Sequence, residues 1–67
     1  MVMLADIKEG SRVLVRGGFG NEPAKFAVVN SVEADIKNGR PGIDYTEEST
    51  GDGRWAYLDQ VQKVLAY

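Results

Sequence analysis

Sixty-seven residues and 7.3 kDa leave room for one small domain, 1–67, which buries only about 60% of the surface its unfolded chain exposes. The sequence has no cysteine and no histidine, which excludes disulfide and thiolate–zinc staples, Ser–His and Cys–His catalysis and the usual zinc enzymes. Ten acidic against eight basic side chains give a net charge of −2, the reverse of the electrostatic footprint of a general nucleic-acid binder.

The chain opens on an apolar stretch, Met1 to Ala5, that lacks the basic start and long apolar region of a signal peptide. It reads as a flexible lead-in over 1–6. Apolar runs further on are no longer than pieces such as Ala27-Val28-Val29, far short of the ~20 residues a membrane span needs. A cytoplasmic protein with no membrane partner is the expectation. Arg12-Val13-Leu14-Val15-Arg16 predicts the first strand, with Val13 and Val15 on one face and Leu14 on the other. Gly17-Gly18-Phe19-Gly20-Asn21-Glu22-Pro23 then breaks regular structure, because glycine tolerates positive φ and proline cannot donate to a ladder. The β-rich stretch 24–34 carries Ala27, Val29 and Val32 out of step with a period of two. A bulge near Asn30-Ser31 would bring all three to one face and bend the strand.

Asn38-Gly39 predicts a tight hairpin turn. Ile43-Asp44-Tyr45-Thr46 resumes a strand with Ile43 and Tyr45 sharing a face, and 50–53 predicts a second hairpin with Asp52-Gly53 at its tip. In Arg54-Trp55-Ala56-Tyr57-Leu58, Ala56 and Leu58 alternate against Trp55 and Tyr57. Residues 58–66 fit two readings. Leu58, Val61, Val64 and Leu65 have helical spacing, but no capping box precedes them and so short a helix is weak on its own. One 3₁₀ turn at Leu58-Asp59-Gln60-Val61 followed by a strand to Tyr67 is preferred.

Five short strands, a long first loop, two tight hairpins and that 3₁₀ turn predict an all-β fold. On three stretches the chain resembles the Src-homology-3-like barrels, the group that includes the KOW and Tudor modules. Residues 7–15 look like the glycine turn that feeds a Val-x-Val first strand. Ala27-x-Val29-x-x-Val32 looks like the bent second strand, with alanine where KOW modules usually carry glycine. Residues 55–61 look like the fourth strand running into the 3₁₀ turn. The resemblance implies a five-stranded barrel. Its first loop lacks the acid-rich pattern and tyrosine pair with which peptide-binding members grip polyproline, so proline-rich ligands are not expected. The stretch 38–45 is also similar to small bacteriophage and prophage proteins, which implies an accessory or structural role.

Two constellations read as structural. Gly17-Gly18-x-Gly20 lacks the further positions and the following helix of a phosphate-cradling loop, so it predicts a connecting loop with Phe19 folded onto the barrel. Asp44, Glu47, Glu48 and Asp52 match no calcium-loop spacing and predict a solvated acidic turn. No catalytic group, metal or cofactor is expected. The aromatic residues carry the functional expectation. Trp55 and Tyr57 should stand on the outer face, with Phe19 and Tyr45 nearby and Arg16, Arg40 and Arg54 at the rim. Aromatic rings beside arginines compose a protein–protein hot spot. The expected function is a small non-catalytic interaction or assembly module that docks on another protein or a second copy. The alternative is a nucleic-acid module in which Arg12, Arg16, Arg40 and Arg54 meet phosphates while the rings stack on bases. A Tudor-type cage for a cationic side chain is a further use of the same rings.

Overall fold

Short runs of β-branched residues between glycine turns give strands, and the computed structural model describes residues 2–67 as one antiparallel sheet of five. Its strands are β1 (Arg12–Arg16), β2 (Ala24–Lys37), β3 (Arg40–Glu47), β4 (Gly53–Tyr57) and β5 (Val61–Ala66). They lie in the order β4-β3-β2-β1-β5. The 14-residue β2 is the spine: residues 24–28 pair with β1 and residues 27–37 with β3. The hydrogen-bonded sheet is not closed, and β4 and β5 form its two edges. A 3₁₀ turn, Leu58–Gln60, joins them, so the turn-plus-strand reading of 58–66 holds and no helix forms there.

One face of the bent sheet makes the core. Val13 and Val15 of β1, Ala27 and Val29 of β2, Ile43 and Tyr45 of β3, Ala56 of β4 and Val61 of β5 are all buried together. The bulge forms where the period fails. Val29 opposes Tyr45 and Ser31 opposes Asp44, which leaves Asn30 as the extra residue. That single insertion resets the phase so that Val32 packs against the same core. A second irregularity follows, since Glu33 opposes Gly42 and Lys37 opposes Arg40. Residues 34–36 therefore face Pro41 alone, a residue with no N–H to give the ladder.

Both hairpins form, but only one has the predicted tip. Asn38 and Gly39 adopt φ 56° and 72°, the two successive left-handed residues of a type I′ turn. At the β3–β4 connection the left-handed residue is Gly51, φ 77°, whose N–H bonds to the Glu47 carbonyl at 2.8 Å. Asp52-Gly53 is not the tip: the Glu47 N–H closes the loop onto the Asp52 carbonyl at 2.9 Å, and Gly53 already begins β4. Ahead of β1, Leu4–Asp6 form a 3₁₀ turn, Val2 packs on the core and Ile7 is buried within it. Ser11, fully buried, accepts the Lys8 N–H at 2.9 Å and donates to the Tyr67 carbonyl at 3.1 Å. One hydroxyl thus ties the start of the chain to its end.

Candidate functional site

The phase of β4 decides where its aromatic side chains go. Ala56 pairs with Ile43 and lies in the core, so Trp55 and Tyr57 project from the opposite face. There they meet edge to face, with centroids 5.1 Å apart. Phe19 reaches over from the first loop, 5.8 Å from Trp55 and 6.2 Å from Tyr57. The three rings form one cluster in tilted and T-shaped contacts that their quadrupoles favour. Exposure is uneven: Phe19 is 69% exposed, Trp55 half-buried and Tyr57 only 8% exposed. Burial of Tyr57 on the outer face corrects the expectation that it stands in solvent. Phe19, Trp55 and Arg40 cover its ring, and its hydroxyl accepts a bond from Asn38 Nδ2 at 3.1 Å.

Two cations lie over these rings. The Arg40 guanidinium stands 3.9 Å from the Tyr57 centroid and Lys37 Nζ 5.4 Å from that of Trp55. Arg40 also bonds Asp59, which fixes it between a carboxylate and a ring. Lys37 escaped the sequence analysis, although a signal for it existed. A two-residue Asn38-Gly39 turn pairs residue 37 with residue 40, so both cations fall on one face. Arg40 and Lys37 thus occupy faces of Tyr57 and Trp55 that a cationic ligand would otherwise meet.

Of the other expected residues, Tyr45 and Arg16 sit elsewhere, and Arg54 lies beside the cluster. Tyr45 is 1% exposed in the core, on the face opposite Trp55, and burial holds its phenol above the usual range. Arg16 is half-buried at the end of β1, and its Nε is buried without a hydrogen-bond partner among the described residues. Arg54 pairs with Tyr45 across the ladder and lies under the first loop. Its Nη1 donates to Glu22 at 2.8 Å and to Glu47 at 2.7 Å, while Nη2 donates to Glu22 at 2.9 Å. These bonds hold both carboxyls below the ordinary glutamate range and push the guanidinium further up. Together with Gly18, Phe19, Gly53, Trp55 and Gln60, Arg54 lines a cleft of about 310 Å³. That volume is at the small end for ligand sites, enough for a docking side chain rather than an engulfed substrate.

Within the acidic turn, Asp52 and Glu48 are exposed as expected, while Glu47 and Glu48 are held in ion pairs. Glu48 takes two bonds from Arg12, at 2.7 and 2.9 Å, which hold its carboxyl low and the guanidinium up. Glu47, only 4% exposed, meets Lys25 at 3.6 Å as well as Arg54, and Asp44 accepts a bond from Ser31 at 2.9 Å. Gln60 also went unnoticed in the sequence. Its Oε1 accepts the Tyr57 N–H at 2.9 Å and its Nε2 donates to the Arg16 carbonyl at 2.8 Å, which locks β4 to the end of β1. No protein-family model matches the chain, and no curated protein or solved structure matches it.

Proposed function

We propose that the protein is a small non-catalytic interaction or assembly module, a Src-homology-3-like barrel in outline. It docks on another protein, or on a second copy of itself, through the Phe19–Trp55–Tyr57 face. One observation carries this reading. Three aromatic side chains gather outside the core, and the largest of them is left half-exposed beside a shallow cleft. Tyr45 by contrast sits fully in the core. A small domain also gains from covering apolar surface with a partner.

The nucleic-acid alternative loses support from the ion pairs. Three of the four arginines it relies on are bonded to carboxylates: Arg12 to Glu48, Arg40 to Asp59 and Arg54 to Glu22 and Glu47. Each would have to leave its partner to meet a phosphate, in a chain whose net charge is already negative. The test is Trp55→Ala. The natural chain should show a concentration-dependent rise in mass by sedimentation, and Trp55→Ala should abolish it while keeping a thermal midpoint close to that of the natural chain. A collapse of stability in this variant would make Trp55 a core residue and end the proposal. Oligonucleotide binding that weakens steeply with salt would favour the alternative.

A further inference from the structure

The loop that carries Phe19 is shaped around an ion pair. Gly18, Phe19 and Gly20 have φ of 59°, 58° and 91°, three successive left-handed residues that only a glycine-rich segment sustains. Within it the bonds are local: the Gly20 and Glu22 N–H groups both reach the Gly17 carbonyl, at 2.9 and 3.3 Å. Glu22 folds back so closely that a Cβ on Gly18 would lie 2.7 Å from its carboxylate, and one on Gly17 would lie 3.0 Å from the Arg54 guanidinium. The side-chain bonds that fasten this segment to β4 are the two from Arg54 to Glu22, at 2.8 and 2.9 Å.

We propose that the Glu22–Arg54 pair is a releasable latch that holds the 17–23 loop, and with it Phe19, over Trp55 and Tyr57. The two carboxylates on Arg54 are unequal, and the inequality makes release possible. Glu47 is 4% exposed and belongs to β3, so it keeps Arg54 in place when the loop leaves. Glu22 is 38% exposed and sits on the hinged segment. The pair is bidentate and shares Arg54 with Glu47, so it is strong enough to hold the loop. Its exposure to water leaves it open to screening by salt and to protonation, and loops with few buried contacts open at low cost. The charged groups facing Glu22 are Arg54 on β4 and Lys25 on β2, both attracting, with Glu47 on β3 competing for the same guanidinium. Release swings Phe19 off its two ring neighbours and widens the cleft at Trp55. This concerns the position of the loop and stands apart from whether the face has a partner.

The experiment follows ring-to-ring nuclear Overhauser contacts of Phe19 with Trp55 and Tyr57, using the Val29–Tyr45 and Ile43–Ala56 pairs as reporters of the sheet. In Glu22→Gln at neutral pH the Phe19 contacts should be lost and the sheet contacts kept. Acid should produce the same change in the natural chain before the sheet melts, because protonating Glu22 removes its charge. Phe19 contacts that persist in Glu22→Gln overturn the latch. Should that variant fail to fold, the acid titration of the natural chain decides. Loss of the Phe19 contacts ahead of the sheet contacts supports the latch, and loss of both in a single transition overturns it.

Discussion

Gln60 shows how one side chain can hold two strands. Its amide oxygen accepts the Tyr57 N–H and its amide nitrogen donates to the Arg16 carbonyl, and the residue is buried. Truncation leaves the buried Tyr57 N–H and the part-buried Arg16 carbonyl without this partner. Unsatisfied buried groups cost about 1–3 kcal/mol each. Gln60→Ala should therefore lower stability by about 2–3 kcal/mol in denaturant unfolding, without moving the Phe19–Trp55 contact. A loss below about 0.5 kcal/mol would mean that water replaces the amide at both ends. Nothing in the sequence marks Gln60 for this work, since its partners are a backbone carbonyl 44 residues away and an N–H at the mouth of the turn. Long-range pairing of that kind has no local signature.

At the scale of elements, the features set by nearest neighbours were legible and those set by distant ones were not. The Asn30 bulge follows from apolar spacing alone, because a strand must keep Ala27, Val29 and Val32 on its buried face. The Asn38-Gly39 turn follows from the left-handed preference of its two residues. The second hairpin misled because Asp-Gly is as good a turn signal as any. What displaced it is the Gly51 N–H bond to Glu47, which selects a longer loop around a different glycine. The phase of β4 put Trp55 and Tyr57 on the outer face, where they are, whereas the covering of Tyr57 by Phe19 and Arg40 depends on a loop and a hairpin from other parts of the chain. The first turn offers a direct test. Gly39→Val puts a β-branched residue at φ 72°, a conformation that costs roughly 1–3 kcal/mol. It should destabilise by that amount and loosen the Lys37–Arg40 pairing, visible as faster amide exchange at the end of β2. Unchanged exchange there would mean that the Asp35 bond to the Gly39 N–H, 2.9 Å long, holds the turn without help from glycine.

For the whole molecule, charge organisation fixes the response to acid. The three glutamates held below their ordinary range join distant parts of the chain. Glu22 links the first loop to β4, Glu47 links β3 to β4 and β2, and Glu48 reaches back to β1. In each case bonds from an arginine are the main cause. A carboxyl with a lower pKa in the folded state than in the unfolded chain stabilises the fold above the unfolded value, and that contribution is lost as pH falls through the folded value. The thermal midpoint should thus be nearly level from neutral pH into weak acid and fall once pH drops below about 4.3, the usual glutamate value. Glu47 is the least exposed of the three, so it should account for most of the slope. Glu47→Gln should melt lower than the natural chain at neutral pH yet lose less on acidification, because the amide has no proton to gain. Scanning calorimetry across that range reads both effects. Parallel acid limbs in the two proteins would place the acid sensitivity elsewhere, in Glu22 and Glu48 at the surface.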